Sequence, residues 1–203
     1  MSLLSDLTPM TKLEAVNQMM LAIGEPPVNS LEMEGGGGDQ LSEAGLALSV
    51  LKSVSHHVQA EGLHCNTVEN YELHPENEDK TIPVPANALS VRSLDRDTDV
   101  IVHKGKLYTK TGFKKKFIKP VTCEIVFMLD FEDLPEYVRQ YIVIRAARIF
   151  QKRMLGSGKL HDITEEEEIQ ARVNMRSREV ENEQHNALDG YRGTVNRYRR
   201  GVN

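Results

Sequence analysis

The sequence predicts an α+β protein, mainly an α-helical bundle of about four helices with an inserted small antiparallel β domain. Two observations predict this class. Apolar residues recur at helical spacing towards both ends of the 203-residue chain, whereas short β-prone runs and prolines fill the stretch from Leu63 to Leu129. The expected divisions are an N-terminal helical hairpin (1–62), the β domain (63–129), a C-terminal helical hairpin (130–187) and an extended basic tail (188–203).

The first helix is expected to begin after Thr11, because Thr11 and Glu14 form a capping-box pattern. Leu13 and Val16 then fall on one face at helical spacing. Gly24 is expected to end the helix, since glycine readily takes the left-handed conformation found there and the prolines that follow cannot continue it.

A second helix is expected from a cap at Asp39 to Gly62, about 23 residues and about 34 Å long. Its predicted buried stripe is Leu41, Ala44, Leu48, Leu51, Ser55 and Val58. The four glycines at 35–38 lack the Lys and Ser/Thr that complete a phosphate-binding loop, so they are interpreted as a mobile connection.

Five short runs predict the strands of a small antiparallel sheet. They are Val68–Leu73, Ala88–Leu94, Val100–His103, Lys106–Lys110 and Val121–Leu129. The step from His103 to Lys106 through Lys104 and Gly105 is typical of a hairpin turn. The last run alternates apolar and polar residues, which indicates one buried and one exposed face.

The third helix is expected to be capped by Asp133, with Pro135 in its first turn and Gly156 at its end. A fourth is expected to begin near Thr164 with a run of acidic residues, which favours a helix N-terminus. Its apolar residues are few, so we expect it to project or to pack only at its start. Those residues are Ile169, Val173 and Val180.

Composition excludes several classes of function. Aromatic residues make up 5% of the chain, there is no tryptophan, and the formal net charge is −5. Carbohydrate clefts and base-stacking surfaces usually use aromatic side chains, and general nucleic-acid binders are basic. Cys65 and Cys123 do not make a disulfide framework and are expected to be reduced. The start of the chain lacks signal-peptide features, and the longest strongly apolar run, Ile125–Leu129, is too short for a membrane anchor.

Candidate catalytic and metal-binding residues are weakly supported. The histidines and cysteine at His56, His57, His64 and Cys65 do not have the paired spacing of a zinc site, so no metal is predicted. The carboxylates of Glu165–Glu168 diverge around a helix and do not form the pair that a glycosidase needs. Cys123 lies in an alternating strand, where a thiol usually only packs. We therefore predict no enzyme activity and no cofactor.

Charge is segregated along the chain. Seven lysines and no acid lie between Val100 and Cys123, whereas eight acids and three arginines lie between Asp162 and Glu183. Such segregation suggests separate surfaces for separate partners, including copies of the same chain. Two candidate partner-binding sets follow, one in the hairpin region and one in the tail. They are Lys114, Lys115 and Lys116, and Tyr191, Arg192, Arg197, Arg199 and Arg200.

The lysine run lies between Phe113 and Phe117, and Phe117 is expected to anchor the chain while the lysines stay solvated. The run could contact phosphates or an acidic neighbouring surface. The tail composition suits a segment that orders on a partner, and a frayed terminus is the alternative.

Three segments resemble the tail tubular protein A family, the adaptor or gatekeeper proteins of short-tailed (podovirus or autographivirus type) bacteriophages. They are Ala15–Val28 with Leu31-Glu32, Leu129–Glu136 continuing through 141–143 and 146–148 to 151–153, and Asn186–Gly190. The residues that carry the family motifs are Gly24, Glu25, Pro26, Pro27, Leu134, Pro135 and Glu136. As helix stops and starts, they are expected to set the fold rather than to touch a partner.

The resemblance implies a virion structural protein, made in the host bacterial cytoplasm and placed at the head–tail junction. It implies a dodecameric ring between the portal protein and a tubular nozzle of the tubular protein B type, which continues the channel for DNA ejection and helps to attach tail fibres. It also implies a helical bundle with a β insertion. The alternatives are a tail-associated polysaccharide hydrolase and a nucleic-acid-binding module that uses the lysine-rich hairpin.

Overall fold

The computed structural model describes residues 8–31, 42–156 and 165–182, and their architecture confirms the α+β class. The described elements, in chain order, are α1 (Lys12–Ala22), α2 (Glu43–Gln59), β1 (Thr67–Leu73), β2 (Ala88–Ser93), β3 (Val100–His103), β4 (Lys106–Thr109), β5 (Val121–Phe127), a 3₁₀ helix (Phe131–Asp133), α3 (Glu136–Leu155) and α4 (165–182). The chain divides into two compact units. The β unit runs from His56 to Asp130, and the helical unit comprises the described residues before and after it, so the first boundary falls within α2.

Helix α1 has the predicted ends. The Thr11 hydroxyl accepts the Glu14 N–H (3.2 Å) and the Glu14 carboxylate accepts the Thr11 N–H (2.8 Å), which completes the capping box. At the other end Gly24 has a φ of +85°. The N–H of Glu25 donates to the carbonyl of Met20 (3.1 Å), and this 6→1 hydrogen bond is the mark of a Schellman ending.

Helix α2 is shorter than predicted, with 17 residues. The Ser42 hydroxyl accepts the Gly45 N–H (3.1 Å) and so caps the helix, whereas the predicted cap, Asp39, lies outside the described residues together with the glycine run. Gly62, with a φ of +74°, still turns the chain away after the helix. The buried face only partly matches the predicted stripe: Leu51, Ser55 and Val58 are buried, Ala44 and Leu48 are half-buried, and Leu41 lies outside the described residues. The buried residues of the helix are Ala47, Val50, Leu51, Val54, Ser55, Val58 and Gln59.

All five predicted strands are present, within a few residues of their expected limits. β5 lies between β1 and β2 in an antiparallel three-stranded sheet, and β3 pairs with β4 as a hairpin. Lys104 and Gly105 both have positive φ (+49° and +71°), as a type I′ hairpin turn requires. The buried core of this unit is Leu73, Ile82, Val100, Leu107, Phe117, Val121, Cys123 and Ile125.

The predicted cap of α3 is wrong. Pro135, not Asp133, is the N-cap residue, and its carbonyl accepts the N–H groups of Val138 and Arg139 (3.0 and 3.1 Å). The reason is that a proline disfavours helical geometry in the residue before it, so the helix cannot include Leu134, and Asp133 ends a separate 3₁₀ helix. The C-terminal prediction is confirmed, since Gly156 has a φ of +60° and caps the helix.

The prediction that α4 packs only at its start is also wrong. Met175 is fully buried and Glu179 is 4% exposed, although both lie well beyond the first turn. The three apolar residues on which the prediction rested, Ile169, Val173 and Val180, are exposed instead. The packing face of α4 is therefore not its apolar stripe but the opposite side. Thr164, the predicted start, lies outside the described residues.

Candidate functional site

Three of the family-motif residues, Leu134, Pro135 and Glu136, lie where the start of α3 meets the start of α1. Leu134 is 1% exposed, and the Glu136 carboxylate accepts the N–H of Met10 (3.0 Å). Arg139 is buried beside them and donates hydrogen bonds to the carbonyls of Leu134 (2.6 Å), Met10 (2.7 Å) and Glu132. This arrangement can fasten two helix starts that are far apart in sequence.

The other motif residues follow α1. Pro26 and Pro27 are exposed, and the segment is held by Asn17, whose side-chain amide accepts the Val28 N–H (2.8 Å) and donates to the Val28 carbonyl (3.0 Å). On α3, Gln151 donates to the carbonyl of Ala22 (2.9 Å). These contacts give the segment after α1 a defined path, which fits a role in setting the fold.

The lysine run belongs to a basic loop, residues 114–119, that follows the β3–β4 hairpin. Lys114, Lys115 and Lys116 are exposed and make no ion pair within the described part of the chain. Phe117 lies in the β-unit core at 7% exposure, and its N–H donates to the carbonyl of Lys80 (2.8 Å). The next residue, Ile118, is 95% exposed. The loop therefore presents four lysines, the run at 114–116 and Lys119, and one fully solvated aliphatic side chain, Ile118.

An aromatic group lies immediately before the basic loop. The rings of Tyr108 and Phe113 are stacked with centroids 4.6 Å apart, and His103 meets Phe113 edge-on at 5.6 Å. Phe113 has a φ of +49°, which folds it back over the hairpin, and it stays half exposed. Stacked rings beside free lysines can contact a planar anionic ligand or a protein surface.

The acidic start of α4 has two sides. Glu168 points inward, where it makes ion pairs with Arg148 and with Arg145 (3.7 Å) of α3. Glu165 and Glu166 are exposed and make no ion pair within the described ranges. The four carboxylates therefore do not converge on one point, which removes the geometric basis for a glycosidase pair.

Further along α4, its packing face carries a polar contact. The Tyr137 hydroxyl of α3 donates to the buried Glu179 carboxylate (2.6 Å) and accepts a hydrogen bond from the Asn182 amide (3.2 Å). On the outer side, the α4 outer stripe (Ile169, Val173 and Val180) is 49–59% exposed. An amphipathic helix that is packed on one face and apolar on the other can bind a further partner.

The remaining candidate residues show no assembled chemistry. His56 and His57 are exposed on α2, and among the described residues there is no group of three side chains that could hold a metal ion. Burial raises the pKa of the Cys123 thiol to about 11, and the negative charge of Asp95 adds to the effect. A thiol with that pKa stays protonated near neutral pH and is a poor nucleophile.

Five tail candidates lie outside the described residues. They are Tyr191, Arg192, Arg197, Arg199 and Arg200.

Sequence reasoning missed Ile118, Arg139 and Glu179. Ile118 could have been found, because it follows Phe117 directly, and adjacent side chains outside a helix seldom face the same side of the chain. Arg139 and Glu179 gave no such signal, since each occupies a polar position of a helix whose partners are distant in sequence.

Comparison with known proteins identifies the family. A family model described as tail tubular protein matches residues 13–185. The tail tubular protein A of Klebsiella phage KP34 is 31% identical over 160 residues, an alignment that covers 78% of this chain and 82% of that protein. No helix in the described ranges is both long and apolar enough to cross a membrane. The match confirms the resemblance seen in the sequence: the chain belongs to the tail tubular protein family, and it is a structural protein of a bacteriophage tail.

Proposed function

We propose that the protein is a non-enzymatic adaptor that forms a ring between the portal protein and the tail nozzle. The observation that carries this proposal is the family match, which extends over residues 13–185 and so includes both compact units. In this role the ring, a dodecamer, continues the channel for DNA ejection at the head–tail junction of the virion. The protein is made in the host cytoplasm and helps to attach tail fibres.

The described surfaces suit an assembly protein better than an enzyme. The unusual exposed features of the described residues are the basic loop and the α4 outer stripe, and the stripe lines an open surface rather than an enclosed cavity. We propose that residues 63–129 act as one assembly module inserted between the helical hairpins 1–62 and 130–187. The compact unit from His56 to Asp130 supports that division.

Oligomeric mass and electron microscopy test the proposal directly. The purified chain is imaged with and without the portal protein of the same phage, and we expect closed rings of uniform symmetry that stack coaxially on the portal. Native mass spectrometry then counts the subunits. A chain that remains monomeric and does not bind the portal under any condition would contradict the adaptor role.

The C-terminal tail provides a second test. Deleting residues 191–203 is expected to leave the circular dichroism spectrum unchanged while weakening ring formation or portal binding, because the basic tail is proposed to reach a partner. A deletion of residues 201–203 alone, which retains all four tail arginines, is the matched control. Unchanged assembly of the longer deletion would show that the tail has no such role.

The basic loop is proposed to meet the nozzle, a tail fibre or an adjoining subunit. Changing Lys114, Lys115 and Lys116 together to Glu is expected to reduce the yield of infectious particles. An unchanged yield would remove this role.

A nucleic-acid-binding module is the second candidate, favoured by the stacked Tyr108 and Phe113 rings beside exposed lysines. It predicts that DNA binding in a mobility-shift assay falls steeply with salt and is lost when Phe113 is changed to Ala. Binding that ignores Phe113 would reduce this candidate to general attraction of lysines for phosphate.

A further inference from the structure

Two exposed patches of this chain each combine apolar side chains with charged neighbours. The neighbouring charges are negative in one patch and positive in the other. The first is the start of the α4 outer stripe. Ile169 and Val173 are 59% and 53% exposed, and they lie one turn apart on the same face. Glu165 and Glu166 precede Ile169 by four and three residues, so their carboxylates flank it.

The stripe is not left over from packing within the chain. The opposite face of α4 is already occupied, since Met175 and Glu179 are buried there and Glu168 is paired with α3 arginines. Three β-branched side chains in water on one helix face forgo the hydrophobic stabilisation that burial would give. Soluble monomers normally bury such side chains. Arg172 and Arg176 flank the stripe further along, so its acidic end is the first turn.

The second patch is the basic loop. Ile118 is the most exposed large apolar residue of the described chain, at 95%, and it follows three solvated lysines. Its orientation is fixed, because Phe117 is buried and its N–H is bonded to the Lys80 carbonyl. An apolar side chain held outward and surrounded by charge has the design of an interface anchor with a polar rim.

We propose that the basic loop of one copy docks on the first two turns of α4 in a neighbouring copy. Ile118 packs against Ile169 and Val173, while the lysines at 114–116 face Glu165 and Glu166. The two patches differ, so the contact is heterologous, and a heterologous contact repeated with a closing rotation makes a ring. The inference rests on the proposed ring and assigns the surfaces that build it.

Charge and apolar exposure together favour a second copy over a nucleic acid as the occupant. Phosphates would neutralise the lysines but would leave Ile118 in water. They would also be repelled by Glu165 and Glu166, so nucleic acid accounts for one patch and not for the other. A second copy satisfies both patches at once.

The test uses two charge-reversed chains. In the loop-reversed chain Lys114, Lys115 and Lys116 are changed to Glu, and in the helix-reversed chain Glu165 and Glu166 are changed to Lys. We expect each chain alone to lose ring assembly, measured by sedimentation velocity and electron microscopy with portal protein present. In an equimolar mixture each basic surface again meets an acidic one, so we expect rings of alternating chains.

A matched control separates the docking surface from net charge. Lys52, Arg96 and Arg153 are exposed cations elsewhere on the chain, and changing all three to Glu alters the net charge as much as the loop reversal does. We expect this control to assemble like the wild type. Circular dichroism and thermal melting verify that every variant is folded.

The apolar part of the contact is tested separately. Ile118→Ser and Ile169→Ser are each expected to weaken ring assembly about tenfold, and the double variant little more than either alone, because the two side chains bury each other. Additive losses would show that the two residues contact different partners and would overturn the pairing.

The outcomes distinguish this inference from the function on which it rests. If the wild type forms rings and either reversed chain forms them equally well, the docking inference is wrong while the adaptor proposal stands. Loss of ring assembly in both reversed chains without recovery in the mixture also overturns the pairing. So does a result in which the reversed chains lose DNA binding but still form rings. If the wild type forms no ring on the portal, the adaptor proposal itself fails.

Discussion

In both the helical unit and the β unit, buried polar side chains join segments that are far apart in sequence, and we call these side chains closing groups. The chemistry of the closing groups differs between the two units. In the helical unit the closing group is the charged guanidinium of Arg139, which is 8% exposed. It donates to the carbonyls of Met10, Glu132 and Leu134 and so joins segments up to 129 residues apart. A guanidinium has only donors, so it binds the carbonyl groups of residues that precede α1 and α3 and lie outside those helices.

In the β unit the closing groups are two neutral amides, Gln59 and Asn66. The Gln59 side chain accepts the Leu129 N–H (2.8 Å) and donates to the Leu129 carbonyl (3.0 Å). Asn66 accepts the Leu63 N–H and donates to the carbonyls of Gln59 and Phe127, at 2.8–3.0 Å. An amide both donates and accepts, so it continues the strand pairing where the sheet ends.

The difference teaches that the two units should fail differently. Removing a buried guanidinium leaves several carbonyls without a hydrogen-bond donor and loses charge-assisted hydrogen bonds. Removing an amide also leaves polar groups without a partner, but the hydrogen bonds that are lost are neutral and weaker. The helical unit should therefore be the more sensitive of the two to a single substitution at its closing residue.

Arg139→Met gives the largest expected effect. We expect it to lower the free energy of unfolding of the helical unit by about 4 kcal/mol, because the buried carbonyl of Leu134 and the partly buried carbonyls of Met10 and Glu132 lose their donor. Hydrogen exchange resolved by segment is the measurement, since it separates α1 and α3 from the strands. Arg178→Met is the matched control, because Arg178 is exposed and makes a surface pair with Glu181, and it should stay within about 0.5 kcal/mol. Equal effects of the two changes would mean that Arg139 does not close the unit.

Asn66→Ala is expected to cost the β unit about 2 kcal/mol, since the change leaves one buried N–H and two carbonyls without the side-chain partner. The faster hydrogen exchange should be confined to the strands and the end of α2. Asn77→Ala, at an exposed turn position, is the control. A loss as large as that of Arg139→Met would remove the distinction between charged and neutral closure.

The fold also divides into parts that the sequence could predict and parts that it could not. The five strands, the I′ turn at Lys104-Gly105 and the Gly24 and Gly156 helix ends were predictable, because each depends on neighbouring residues alone. The face on which α4 packs was not, since Met175 is buried and Glu179 pairs with Tyr137 of α3, and the local pattern reveals neither.

The candidate site divides in the same way. Solvation of the lysines at 114–116 and burial of Phe117 followed from composition and local alternation. The Asp133 cap was wrong, because the geometric effect of Pro135 outweighed the capping pattern. The flanking of Ile169 by two unpaired glutamates needed the structure, which shows that this face of α4 is the outer one.

Thr67 offers a way to sharpen the account of the β unit. Its hydroxyl is the one buried side-chain polar atom without a hydrogen-bond partner in the described ranges. Thr67→Val replaces that hydroxyl by a methyl group of similar size at the first residue of β1. We expect a gain in unfolding free energy of up to about 1 kcal/mol, measured by urea denaturation. Thr98→Val, at a half-exposed loop position, should give no such gain, and a loss at Thr67 would show that its hydroxyl has a role in folding.

The last prediction concerns a titrating group in the β unit, whose effect is absent near neutral pH. That unit buries the Cys123 thiol, whose pKa burial raises from 9.0 to about 11. Because the folded-state pKa lies above the unfolded one, this thiol's contribution to stability is complete below about pH 9 and is lost progressively as the pH rises towards about 11. Cys123→Val removes the titration, so the difference in unfolding free energy between wild type and variant should change over that range and stay constant below it.

The half-buried Cys65 allows a second, kinetic test of Cys123. At about pH 8, Cys65 should react with a thiol reagent well before Cys123 does. Equal reaction rates would mean that the β-unit core admits solvent at Cys123, and the burial of this thiol would then not explain its raised pKa.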